Sequence, residues 1–599
     1  MEGEIRGFRE APFSATMLAV AMIASIPDEG RAQQSACLAR GAVEYADQGW
    51  SALDRRTFYG TSQGSHLMPY AWFKALRRAD NINEAFAADQ LQRYGYICSD
   101  SPNNGDGLPI GFVVDLKATP PQVGLTCAAC HTGQVEYQRD GVPHVVRLDG
   151  APAKVNIQEF VTDLLAASRA TLTDAARFES FAKMVLGGDY PAKAADLKND
   201  FNVWSANFSE FLKTLPSPSW GPGRIDAFGM IYNRVAGLDL GKPGNMQTAD
   251  APVKYPFLWN ASRQDHTQWN GQMPNGLPVL GLARNVGEVL GVFAEFTPKK
   301  IFGNKIDYSA NSVDFAGLQT LEEEIEKLQP PKWPFAIDAA LANEGRPLFE
   351  RKCGRGCHEK KSLFGRWATP RKNVGTDPKM ALNAKRDAPD PGLFTGKVLL
   401  WPSPVRLANP ARAGQILALS VIGITVDGLA FQPLRPSVQA DVRLAQDKKR
   451  LPVPFDESLD AVSDRSLALR TGDRLFFSKG VASLLKPPSD TGPAYEARVL
   501  CGIWAVAPYL HNGSVPNLKQ LLTPSRMRQA RFMVGSRAYD PDAVGYATDN
   551  SPFSNGTFVT DPQNGNGNGG HDYGTDLPNH EKAAIIEYMK TLDAESPSC

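Results

Sequence analysis

Five residues constrain this chain more than any others: Cys127-Ala-Ala-Cys130-His131. Two thiols separated by two residues and followed at once by an imidazole match the C-x-x-C-H pattern of haem c attachment. The thiols reach two porphyrin vinyl groups and form thioethers, while the histidine sets its imidazole beneath the iron as proximal ligand. Zinc is the main rival. It needs two further soft or imidazole ligands at close spacing, and none lies nearby in the sequence. A porphyrin held this way is wrapped by short helices and long loops, and 45 Pro and 53 Gly in 599 residues suit such a loop-rich protein.

Cys353-Gly-Arg-Gly-Cys357-His358 is the same device with one extra residue in the bridge, which its two glycines absorb in a tighter loop. The approach, Asn343-Glu-Gly-Arg-Pro-Leu-Phe-Glu-Arg-Lys-Cys353, reads as a helix carrying Gly and Phe just before the haem cysteine, as cytochrome c domains begin. The rivals here are a disulfide or a metal loop. The expectation is two covalently bound haem c groups, their irons held by His131 and His358.

The rest of the composition bounds the partners. Lys plus Arg and Asp plus Glu both number 64, so no global field favours nucleic acid or an anionic bilayer. Hydrophobic residues at 42% and charged ones at 21% describe a soluble globular chain, long enough for two to four domains. Arg6 and Arg9 precede an apolar run over residues 17–26, and Gly30 and Ala32 are small residues before Gln33. This predicts a signal peptide over residues 1–32, cleaved after Ala32, against an uncleaved anchor or a buried helix; Asp28 and Glu29 sit awkwardly for cleavage. The mature protein is then periplasmic or secreted, with no membrane span. Four cysteines fall outside the motifs: Cys37, Cys98, Cys501 and Cys599. Three connectivities are open to them, and their spacing selects none.

Along the chain, aromatic residues from Trp50 and Phe58 through residues 67–76 fall at helix-like spacings, and residues 157–172 and 178–186 read as amphipathic helices. Residues 220–277 are rich in Gly, Pro, Asn and Trp without periodicity, which predicts a long ordered loop over the first haem. Gln329-Pro330-Pro331, after a charged helix at 321–328, marks a boundary between an N-terminal haem c domain (33–330) and a C-terminal cytochrome c-like domain (331–599). Helices at 337–351 and 577–592, packed across each other, complete the second domain. The fold class is mostly α, with two cytochrome c-like haem domains, long ordered loops and little β structure.

The second axial position of each iron decides between electron transfer and chemistry. Outside the motifs lie His66, His144, His266, His511, His571 and His580. His571 ranks first as a ligand, since it follows a Gly-rich loop and precedes the last helix; His511 ranks second.

Five segments carry a resemblance across nearly the whole mature chain: Phe58-Tyr-Gly-Thr-Ser-Gln-Gly-Ser65, Gly124-Leu-Thr-Cys-Ala-Ala-Cys-His-Thr-Gly133, Arg284-Asn-Val-Gly-Glu-Val-Leu-Gly291, Ala507-Pro-Tyr-Leu-His-Asn-Gly-Ser-Val-Pro516 and Gly570-His-Asp-Tyr-Gly-Thr575. Together they resemble the dihaem cytochromes grouped with the RoxA-type rubber oxygenase, distant relatives of bacterial dihaem cytochrome c peroxidase and MauG. The resemblance implies unequal haems. His131 would hold a reactive haem with an open face, and His358 with His571 would close a bis-histidine haem for electron transfer. It also implies a tryptophan between the haems, with Trp259 and Trp269 as candidates, and places the Tyr509–His511 stretch beside the second haem. The family's second motif has two residues between its cysteines, and this chain has three.

The resulting expectation is a haem-dependent oxidoreductase that activates dioxygen or hydrogen peroxide. An oxygenase cleaving a small or polymeric apolar organic substrate is the first reading, a dihaem cytochrome c peroxidase the second, and a non-catalytic electron-transfer cytochrome the third. A redox partner protein and a bound calcium are left open.

Overall fold

The computed structural model describes residues 43–99, 106–275, 278–302, 305–363, 366–383, 385–399, 405–431 and 492–599. The signal peptide expected at 1–32 and Cys37 lie outside them. Among the described residues helix outweighs strand, 40% to 16%, and no barrel closes.

The N-terminal layer is a bundle of three helices, Ile157–Thr173, Ala175–Leu186 and Ala194–Leu212. In the first, Ile157, Phe160, Val161, Leu164 and Leu165 are buried at three- and four-residue spacings, the stripe that one helix face needs to join a core. Asn156 starts it by accepting the Glu159 amide, and Asp174 both ends it and caps the next helix through the Ala176 and Arg177 amides. The expected helix over 67–76 is shorter than its aromatic stripe suggests. Only Tyr70–Ala75 is helical, because Met68–Pro69 pairs as a strand with Val123 and Gln122. Residues 220–277 are likewise not all loop: Phe228, Ile231, Tyr232 and Val235 bury one face of a helix, Ala227–Tyr232, that widens into a π-type turn, Asn233–Asp239. The strands concentrate next to the first motif, where Thr132–Arg139 and Val142–Asp149 form an eight-residue antiparallel hairpin directly after His131.

One apolar core draws on both sides of the Pro330-Pro331 boundary, joining Trp50, Phe58 and Trp259 to Trp504, Ile585 and Tyr588. A second centres on Pro278–Gly291 packed against Ala413–Phe431, a helix missing from the sequence-based expectation. Among the described residues no helix is long and apolar enough to cross a membrane.

Of the cysteines whose pairing the sequence left open, Cys501 is bonded to Cys599, 98 positions away. Closing a loop of that length removes much of the unfolded chain's freedom, so Cys501→Ser/Cys599→Ser is expected to lose about 2–5 kcal/mol. Equilibrium denaturation checks this, and an unchanged midpoint would show that the bond contributes nothing.

Candidate functional site

The first motif lies in a tight turn between the strand Gln122–Leu125 and the hairpin. The Cys130 and His131 amides both return to the Cys127 carbonyl, at 3.2 and 3.0 Å, so the two cysteines share one face of a single turn. His131 donates its Nδ1–H to the Pro256 carbonyl at 2.8 Å. A carbonyl only accepts, so this bond leaves Nε2 with the free lone pair that a metal ligand requires. Burial pushes the His131 imidazole down to about 4, which keeps it neutral at ordinary pH.

The second motif grows out of the helix Ala339–Phe349, which runs on into a wide turn, Glu350–His358. The extra residue is absorbed where the helix breaks: Arg355 leaves helical geometry (ψ 117°) and Gly356 adopts φ +73°, a region that favours glycine. His358 then donates its Nδ1–H to the Arg498 carbonyl at 2.6 Å, the same arrangement as at His131.

His571 faces His358. Their ring centres are 6.3 Å apart. An imidazole nitrogen sits roughly 2 Å from a metal it ligates and the ring centre about a bond length further back, so two imidazoles on opposite sides of one metal are spaced by roughly 6 Å. His571 Nδ1 is buried without a hydrogen-bond partner, and its backbone holds φ +53°, a strained conformation for a residue with a side chain. Arg528 supplies the restraint. Its guanidinium donates to the carbonyls of Leu521, Thr523, Asn568, Gly570 and His571 at 2.7–3.2 Å, and the His571 amide donates to Val374 at 2.8 Å. Burial, with the nearby His358 and Arg528, pushes the His571 imidazole down to about 4.

A cavity joins Cys353, Cys357, His358 and His571 to Trp269 and His511. His511 lies in its wall, but its ring stacks on Tyr495 at 3.8 Å. The other histidines are engaged by carboxylates: His66 with Asp115, His144 with Glu44, His266 beside Asp265, and His580 with Glu344. Trp269 donates its indole N–H to the Lys254 carbonyl at 2.9 Å. Trp259 is outside the cavity wall. It is fully buried, stacks on Phe257 at 5.0 Å and donates to the Cys501 carbonyl at 2.7 Å.

The residues present fit haem c at both motifs. All four motif cysteines are unpaired. Burial raises the Cys130 thiol to about 12 and that of Cys353 to about 11, which disfavours the thiolates a zinc site would use. Among the described residues no three His, Cys, Asp or Glu side chains converge as metal ligands. Beside Cys130 the Tyr255 hydroxyl meets the thiol, and the hydroxyl of Tyr96 is buried without a hydrogen-bond partner.

Sequence reasoning missed a polar cluster on the Pro278–Gly291 helix. Arg284 binds Glu322 at 2.6 Å, and Gln268 donates to Glu288 at 2.9 Å. Burial raises the Glu288 carboxyl, and yet 45% of its side chain is accessible. Glu288 is thus at the accessible edge of this cluster. The charges of Glu288, Glu322 and Arg284 all bear on the Cys127 thiol. The signal available in the sequence was a carboxylate four residues after Arg284 in an otherwise apolar helix.

Comparison with known proteins gives three matches. Residues 494–533 match the family described as RoxA-like, cytochrome c-like. Over 620 aligned residues the chain is 31% identical to the "Uncharacterized protein y4iJ" of Sinorhizobium fredii (strain NBRC 101917 / NGR234), covering 92% of this chain and 93% of that protein. The "Uncharacterized protein y4iM" of the same strain is 24% identical over 300 residues, about half (49%) of each chain.

Proposed function

Because the chain belongs to the family of the rhizobial protein y4iJ and carries a RoxA-like, cytochrome c-like segment, we propose that it is an exported oxidoreductase with two haem c groups, which activates dioxygen or hydrogen peroxide at the haem held by His131. Cys127, Cys130 and His131 hold one group. Cys353, Cys357, His358 and His571 hold the other. The observation that carries this reading is the unequal provision of histidines: His571 stands 6.3 Å from His358, ring centre to ring centre, whereas the second histidine candidate, His511, is stacked on Tyr495. A haem with imidazole on one side only supplies an iron that binds and activates a diatomic ligand or peroxide.

The chain's own groups do the rest. The Pro256 carbonyl orients His131 and makes its imidazole a stronger donor. Glu288, held by Gln268 and with its carboxyl raised by burial, is the acid–base group assigned to the first motif, since its charge bears on Cys127. That carboxylate favours peroxide as the oxidant. The RoxA-like segment favours the oxygenase reading, oxidative cleavage of an apolar substrate with dioxygen. A location in the periplasm or outside the cell is the reading that the Cys501–Cys599 disulfide supports, since such bonds persist in oxidising compartments. A redox partner protein would supply the electrons, and Cys353, Cys357, His358 and His571 would hold the group suited to receive them.

Acid–acetone extraction followed by mass spectrometry is expected to leave two porphyrins on the chain. Carbon monoxide added to the reduced protein should perturb one haem only, and His131→Ala should remove that response. Glu288→Gln should lower peroxide turnover by roughly 100-fold and leave carbon monoxide binding intact. If both haems ignore carbon monoxide and cyanide in every redox state, the protein is an electron carrier instead.

A further inference from the structure

The two motif histidines are anchored in the same way, and their anchors touch. His131 donates to the carbonyl of Pro256, and the next residue is Phe257. His358 donates to the carbonyl of Arg498. The Arg498 guanidinium lies 3.8 Å from the centre of the Phe257 ring, a cation–π contact at van der Waals distance. Trp259 backs the Phe257 ring at 5.0 Å and bonds the carbonyl of Cys501, three residues past Arg498, so the segments 256–259 and 498–501 are clamped at both ends. One short path therefore links the imidazole of one motif to that of the other: carbonyl, aromatic ring, guanidinium, carbonyl.

The charge on that path is poorly neutralised. Arg498 has 7% of its side chain accessible, and arginine keeps its proton in proteins. Its nearest anion, Glu496, stands 3.6 Å away, and burial raises that carboxyl to about 7, so near neutrality the pair carries net positive charge much of the time. In a buried setting a unit charge acts over several ångströms with little screening.

We infer that Arg498, stacked on Phe257, is a positioning and tuning residue shared by the two motifs: a single guanidinium that raises the reduction potential of both haems. This rests on the dihaem reading above. A buried positive charge disfavours the more positive ferric state, so its removal should lower each potential. The bonds at the two histidines use the backbone carbonyls of Pro256 and Arg498, which side-chain substitutions retain.

Spectroelectrochemical titration of the full-length dihaem protein tests this, following the low-spin and high-spin bands separately. In Arg498→Met both midpoints should fall, each by roughly a tenfold change in the reduction equilibrium, about 59 mV for a one-electron couple. Arg498→Lys, which keeps the charge, should recover most of the shift. Movement of one midpoint alone, or of neither, overturns the shared role. Should Arg498→Met fail to assemble, Phe257→Leu decides: it keeps the charge but removes the ring that holds it between the motifs, and must displace both midpoints. Haem content and the low-spin signature, measured on the same samples, separate the two failures. Two haems with unmoved potentials sink this inference alone, while fewer than two haems in the unsubstituted protein sinks the reading beneath it.

Discussion

Gly345→Ala is expected to cost the protein the stable attachment of its second haem. Gly345 sits where the helix Ala339–Phe349 crosses the C-terminal helix Asn579–Lys590, and a Cβ there would lie 1.8 Å from the Ala584 carbonyl oxygen and 2.3 Å from its carbon. Both are backbone atoms, which no rotamer change can move aside. The helices must part, and with them the contact of Phe349 on Tyr588, whose rings are 5.2 Å apart. Overpacking of a close interface costs about 1–3 kcal/mol and sometimes more. Here the displaced helix also carries Cys353, Cys357 and His358 on its continuation. The expected result is a loss of about 3 kcal/mol in stability and a sharp fall in the fraction of chains that retain two porphyrins. Gly354→Ala is the control, since its Cβ would meet nothing closer than 3.6 Å. Equal stability and haem content in the two variants would show that the crossing does not depend on close backbone approach.

His571→Ala is expected to turn one low-spin haem high-spin and leave the other unchanged. The ring spacing of 6.3 Å to His358, the unpartnered Nδ1 and the φ of +53° all converge on this histidine. Removing one imidazole from a six-coordinate haem vacates a position that water or carbon monoxide can take. The variant should therefore bind carbon monoxide at two haems where the parent binds it at one. Alanine at φ +53° remains strained whereas glycine does not, so His571→Gly should be more stable than His571→Ala by roughly 1 kcal/mol. Optical and electron paramagnetic resonance spectra check the spin change. If His511→Ala produces it and His571→Ala does not, the ligand is His511.

The two Cys–Cys–His motifs were legible without a fold, because they are local. Cys127, Cys130 and His131 share one turn whatever surrounds them, and the insertion in Cys353-Gly-Arg-Gly-Cys357 announces its own remedy in two glycines, one of which takes φ +73°. Helices with a clear apolar stripe, such as Ile157–Thr173, were equally readable, since their period of 3.6 is written in neighbouring residues. The helices Ala194–Leu212 and Ala413–Phe431 were missed, the latter because it is apolar on nearly every face and shows no period. His571 ranked first by its position before the final helix, but sequence could not set it opposite His358, which lies more than two hundred residues away. Long-range partners were decided by tertiary structure alone: the Pro256 and Arg498 carbonyls that fix the two imidazoles, the Arg528 guanidinium that holds the His571 loop, and the choice of Cys599 for Cys501. Spacing along a chain dictates which side chains share a turn. Which distant backbone carbonyl a buried N–H meets is settled only when the cores close around it, since every such carbonyl is chemically alike until packing chooses one.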